Sequence, residues 1–395
     1  MAKRLSIDAT ANTALASIRR TIARWESGSS TIPDARYQWI LAHVYAERGQ
    51  EVQTGPGSDF LALLSAFQQM GVAPDRVAEL HTTVLAWAEG RHPAASRLDD
   101  GDLAEMTRTL NGITQQIGKI PFVRSQIALA PLIDSLRHAK QTNTDLPPDG
   151  RTLAARTYAA AARLAFELRD DELSKRYYDK ALSHAQRVPS QSLVASIGTS
   201  LAMVTMHRDD DFATAERIIN TTIKAALAGP SMTTRARAFA IQSEIAARRK
   251  LVRPAAAALQ LAEQYTEKAS PDDPSGRPFD DARLAGFTGL YNLLTGSTTS
   301  AIDHLNRARY GIPESIDPIQ LSIIVADLAK THLVCSRPEP DLAVSSLREC
   351  VTLVGKSRSR VAAGRIRHVR WLLRRWNGHQ SVADLDDHIY ATLFD

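Results

Sequence analysis

The chain has 395 residues, with 48 Lys and Arg against 43 Asp and Glu and a formal net charge of +5. That length exceeds what one hydrophobic core ordinarily supports, so several domains or a repeat array are expected. No apolar run is long enough to span a bilayer, and no continuous apolar stretch follows the basic start MAKRLSIDATANTALASIRR, so the expectation is a cytoplasmic protein with no membrane partner. Cys335 and Cys350 are too few for a disulfide framework or a zinc motif and suit small apolar positions in a helical pair. Charge collects at the ends: residues 1–50 carry +3, residues 351–395 carry +4, and the middle is near neutral at −2. Positive ends suit an anionic partner without specifying one.

The first strong signal is ASIRRTIARWESGSSTIPDARYQWILAHVY, residues 16–45. Ser17 stands where its hydroxyl can cap a helix. Ile18, Ile22 and Trp25 then form one narrow apolar face, which leaves Arg19, Arg20, Arg24 and Ser27 off that stripe. Gly28 suits a left-handed stop, and Pro33 and Asp34 open a second helix with a Tyr37, Ile40, Leu41, Val44, Tyr45 stripe. Trp25 is expected to pack on that second stripe.

This run resembles the Xre (lambda-repressor-like) helix-turn-helix family, through Ser17, Arg19, Thr21, Ile22, Arg24, Trp25, Glu26 and Gly28. The resemblance implies that the helix after Ser17 enters a major groove, with Ser17, Arg19, Arg20, Thr21 and Arg24 contacting double-stranded DNA. Each Arg would meet either a guanine edge or a phosphate. The chain ahead of Ser17 has room for one of the family's two upstream helices, so a unit shortened at its N-terminus is expected over residues 1–48.

AERGQEVQTGPG, residues 46–57, reads as a linker, and residues 58–140 as a helical spacer or degenerate repeats. After a second break at QTNTDLPPDG, a solenoid is expected over residues 148–395. There a small residue, an apolar residue four later and a small residue three further recur. The sets are Ser174/Tyr178/Ala181, Ala215/Ile219/Thr222, Ala255/Leu259/Ala262, Ala301/Leu305/Ala308 and Ala343/Leu347/Cys350. Their first members are 41, 40, 46 and 42 residues apart, and another helical segment precedes each. Small residues let paired helices approach closely while the apolar residue fills the groove. The period signals an all-α fold built as an α-solenoid, and the triplet resembles the second helix of tetratricopeptide repeats, with Gly289 matching a first-helix glycine. SRSRVAAGRIRHVRWLLRRW, residues 357–376, carries an Ala362, Ile366, Val369, Leu373, Trp376 seam and closes the array as a cap with a basic outer side.

Catalytic motifs are missing. GITQQIGK, residues 112–119, has one residue too many between its glycines for a phosphate-binding loop, and Ile120 stands where Ser or Thr would bind magnesium. The histidines are scattered, and Asp209, Asp210 and Asp211 suit a helix cap better than a metal site. Neither cofactor nor enzyme activity is expected. The two resemblances together imply a DNA-binding transcriptional regulator whose repeat domain forms a homodimer and holds a peptide or small molecule on its concave face. The alternative is an interaction scaffold that does not bind DNA and keeps a vestigial helix-turn-helix.

Overall fold

The computed structural model describes residues 100–395, apart from 121, 142–145, 210, 274–278, 358 and 394–395. The expected helix-turn-helix and most of the spacer lie outside the described residues. The chain divides into two units, residues 1–157 and 158–395. Among the described residues of the first unit, α1 (Asp100–Gln116) packs on α2 (Phe122–Gln141) around Met106, Leu110, Leu129 and Leu132. The long helix α3 (Pro148–Glu167) begins in this unit, where Arg156 donates to Asn111 at 2.8 Å, and ends in the second.

The second unit is a succession of antiparallel pairs. The end of α3 pairs with α4 (Asp171–Ala185), α5 (Gln191–Asp209) with α6 (Phe212–Ala228), and α7 (Met232–Arg248) with α8 (Val252–Glu267). There follow α9 (Asp281–Thr295) with α10 (Thr298–Gly311) and α11 (Pro318–Val334) with α12 (Pro340–Ser357). Next come α13 (Arg360–Leu372), a 3-10 turn Leu373–Trp376 and α14 (Gln380–Leu393), which packs on α12. Among the described residues β pairing is limited to a single bridge, Ile117 to Ile120.

The triplets sit where the spacing places them. Ala215, Ala255, Ala301 and Ala343 have no exposed surface, and neither have Ile219, Leu305 and Leu347. The close approach is tight enough that a Cβ added to Gly289 would lie 2.6 Å from Leu305 Cγ. Two buried hydroxyls reinforce the pairs: Ser174 donates to the Ala162 carbonyl and Ser243 to the Ala255 carbonyl, both at 2.8 Å. The expected acidic cap forms at α6, where Asp211 accepts from the Thr214 amide at 3.0 Å. The expected seam of the C-terminal cap is also present, with Ala362, Ile366, Val369 and Leu373 buried and Trp376 half-buried.

Three of the turns inside the pairs share one conformation that the sequence only partly advertises. Arg169, Lys250 and Gly296 all have positive φ, at 60°, 63° and 92°. Each stands five residues ahead of its triplet's first member. A left-handed residue there ends the first helix so that the second can start at once. Only Gly296 takes this conformation without a Cβ penalty.

Two substitutions test the register. Gly296→Ala meets no neighbour within 4 Å, so its expected cost of about 1–2 kcal/mol is purely the backbone's. Ala301→Leu should cost about 1–3 kcal/mol by overpacking. Denaturant unfolding reads both, and unchanged midpoints would show that the pairs do not pack in this register.

Candidate functional site

The first helix of each pair differs from the second in how it is surrounded. Helices α6 and α10 each bury one stripe, as in Ala301, Leu305 and Ala308. Helices α7 and α11 are buried over most of their length on nearly every side. The cause is that α5, α7, α9, α11 and α13 pack side by side in sequence, with no comparably extensive contact between successive second helices from α4 to α12. Closer spacing in one row curves the array toward that row, so the first helices form the inner face.

The curvature is strong enough that the row meets itself. Ser359, at the start of α13, donates to Glu167 at the end of α3 at 2.6 Å, and Arg360 donates to the Leu168 carbonyl at 3.2 Å. Next around the row, the rings of Phe166 and His207 lie 6.3 Å apart between α3 and α5. The end of α3 and the helices α5, α7, α9, α11 and α13 therefore complete one turn of the row, a ring of six closed where the start of α13 meets the end of α3.

Polar side chains occur on this inner row at helical spacing. On α7 they are Arg237, Glu244 and Arg248, at i, i+7 and i+11; on α5 they are Ser200 and His207. Arg163 and Glu167 lie on α3, Asp327 and Lys330 on α11, and Arg365 and His368 on α13. Glu244 Oε1 accepts from Arg248 Nε at 2.9 Å and Nη2 at 2.7 Å, and His207 Nε2 stands 3.6 Å away. Arg365 Nη1 pairs with Asp327 Oδ1 at 2.7 Å. Arg237 Nη2 donates to the Ser200 hydroxyl at 3.2 Å.

Burial sets the protonation of these groups. It pushes the His207 imidazole down to about 4 against the pull of Glu244, with Arg248 and Arg365 adding to the shift. Burial would raise Glu244, but Arg248 and His207 outweigh it and hold the carboxyl below its ordinary value. Glu167 has no comparable partner: burial raises it despite the Ser359 hydrogen bond and the attraction of Arg163. Burial lowers Lys330 against Asp327, with Arg248, Arg365 and Lys250 adding to it, and burial likewise lowers Arg237. Arg365 on α13 thus acts on groups of α3, α5, α7 and α11, which makes one electrostatic neighbourhood of the ring's interior.

The residues expected to contact DNA, Ser17, Arg19, Arg20, Thr21 and Arg24, lie outside the described residues, as does Trp25. The inner-face groups were not singled out by sequence reasoning. The available signal was the i, i+7, i+11 recurrence of charge in TRARAFAIQSEIAARR, a helix otherwise built of apolar and small residues. Among the described residues no group of His, Cys, Asp and Glu could hold a metal ion, and no helix is long and apolar enough to cross a membrane. Both cysteines are free, Cys350 buried and Cys335 partly so.

This is an all-α helical-repeat protein of paired helices, tetratricopeptide-like in its general packing. No family model matches the chain, and no curated protein matches it. Among solved structures it is similar to BtubC (BKLC) from P. vanneervenii, with 14% identity and a TM-score of 0.39, over 70% of this chain and 93% of that one. A likeness that slight carries no argument about either fold or function.

The state of His207 gives a pH prediction. The folded chain holds it neutral down to about 4, against an ordinary value of 6.5, so the unfolded state binds the additional proton between these values. Stability should therefore fall as pH drops from about 6.5 toward 4, by about 1–3 kcal/mol from this residue. His207→Gln should flatten that part of the profile. Superimposable wild-type and variant profiles would place the imidazole in water.

Proposed function

We propose that the repeat unit is a non-catalytic binding module that holds a ligand inside its ring of inner helices. The carrying observation is that charged and polar side chains recur on the row where the helices are most buried. Removing such groups from water costs several kcal/mol per ion unless partners compensate, and filling these positions with apolar residues would pack as well. Their presence where the helices converge is what a recognition surface requires. The dimensions favour a compact occupant. Six helices at ~8–10 Å spacing put opposite axes ~16–20 Å apart. After each helix's own width, a ring of that spacing would leave a lumen of about 6–8 Å, too narrow for a folded partner or a docked helix.

Native mass spectrometry of the chain purified from its own cells tests this. A discrete mass should accompany the folded chain, leave on unfolding and be missing from a Glu244→Gln/Arg248→Gln variant. An unliganded chain in every preparation, with no hydrogen-exchange protection of α5, α7 and α11 when cell extract is added, would contradict the reading.

A second reading rests on the Ser17–Gly28 run: the whole chain would be a cytoplasmic DNA-binding regulator, with the ring as its sensing part and a dimer as its binding form. One recognition helix reads only a few base pairs, so a two-fold site would be needed. Fluorescence anisotropy with duplexes from the gene's own upstream region decides it. Salt-dependent binding, weakened by Arg20→Ala and Arg24→Ala, is expected. No binding at low salt by folded, ligand-supplied protein would leave a binding module alone.

A further inference from the structure

The cations of the ring are not equally provided for. Arg248 and Arg365 each hold an internal carboxylate, Glu244 and Asp327. Arg237 has only the Ser200 hydroxyl, on one of its two terminal nitrogens. Arg163 and Lys330 have no hydrogen-bond or ion-pair partner among the described residues, and all three are only partly exposed. The nearby carboxylates are already engaged: Asp317 caps α11 through the Gln320 amide at 3.1 Å and lies 3.4 Å from Arg283. Glu167 is occupied by Ser359. A guanidinium presents five donors, so most of those on Arg237 and Arg163 are unmatched by protein groups, on side chains that solvent reaches only in part.

We infer that the ring's occupant is a small molecule bearing an oxyanion, phosphate or carboxylate, held between Arg163 and Arg237. The inference rests on the ligand-holding reading above and gives it a chemistry. Arginine forks match the planar edge of a carboxylate or phosphate, and charge-assisted hydrogen bonds of this kind are roughly twice as strong as neutral ones. The paired groups have a different part. Arg248–Glu244 and Arg365–Asp327 are internally neutral and rigid, so they wall the lumen without competing for an anion.

The test uses the full chain in chloride buffer, titrated with inorganic phosphate, pyrophosphate and citrate by calorimetry and followed by thermal unfolding. At least one probe should bind saturably with one-to-one stoichiometry and raise the melting temperature with its concentration. Arg163→Gln and Arg237→Gln should each weaken that probe at least about tenfold. Arg253→Gln, on the exposed side of α8, should bind as wild type does. Without probe, Arg237→Gln should melt no lower than wild type, because an uncompensated charge has been removed. Preference for phosphate and pyrophosphate over citrate assigns a phosphate ligand, and the reverse a carboxylate. Should one arginine variant fail to fold, the other carries the comparison. The inference is overturned if none of the three probes binds saturably, or if all variants bind as wild type does. If the oxyanion probes fail while a native mass still accompanies the chain, the inference falls and the binding module stands.

Discussion

Everything in the second unit depends on helices meeting backbone to backbone at small side chains. Where Ala301 faces the partner helix of its pair, or Gly289 faces Leu305, no bulk separates the two axes. A few added methylenes would push the pair apart. Close pairs leave the first helices free to abut one another, and that unequal spacing of the two rows bends the array. The small residues therefore do more than fill a core: they set the curvature, and the curvature decides which side chains face each other across the lumen.

The ring that results is an expensive place for charge. Glu167 is driven toward its neutral form, the Lys330 ammonium and the Arg237 guanidinium are depressed, and His207 is kept uncharged. Two internal ion pairs relieve part of this strain, and the rest stays uncompensated. Proteins commonly carry such local destabilisation at the sites where they bind something. Apolar groups would serve the fold at least as well there, so the fold alone does not account for Arg163 and Arg237.

The fold was legible because its determinants are local. Small–apolar–small triplets recur at near-constant period, and each can be read without knowing what lies elsewhere in the chain. The turns were half legible: Gly296 announces a left-handed stop, whereas Arg169 and Lys250 adopt the same conformation with no sequence mark, held there by the helices on either side. The inner face was not legible at all. Arg237, Glu244 and Arg248 look like ordinary solvated positions on a helix until the direction of curvature is known. That direction is a property of many pairs packed together. The hydrogen bond that closes the ring joins residues 192 apart, which no local pattern encodes.

That closure is the claim on which the lumen, its width and its electrostatics all rest. A double-mutant cycle on Glu167→Gln and Ser359→Ala in the full chain, read by denaturant unfolding, tests it most directly. Two residues in buried contact should show a coupling of about 0.5–3 kcal/mol, and the cycle should fail to add by that amount. Strictly additive effects would mean that the ends of the row do not meet, and that the inner helices form an open arc with no enclosed site.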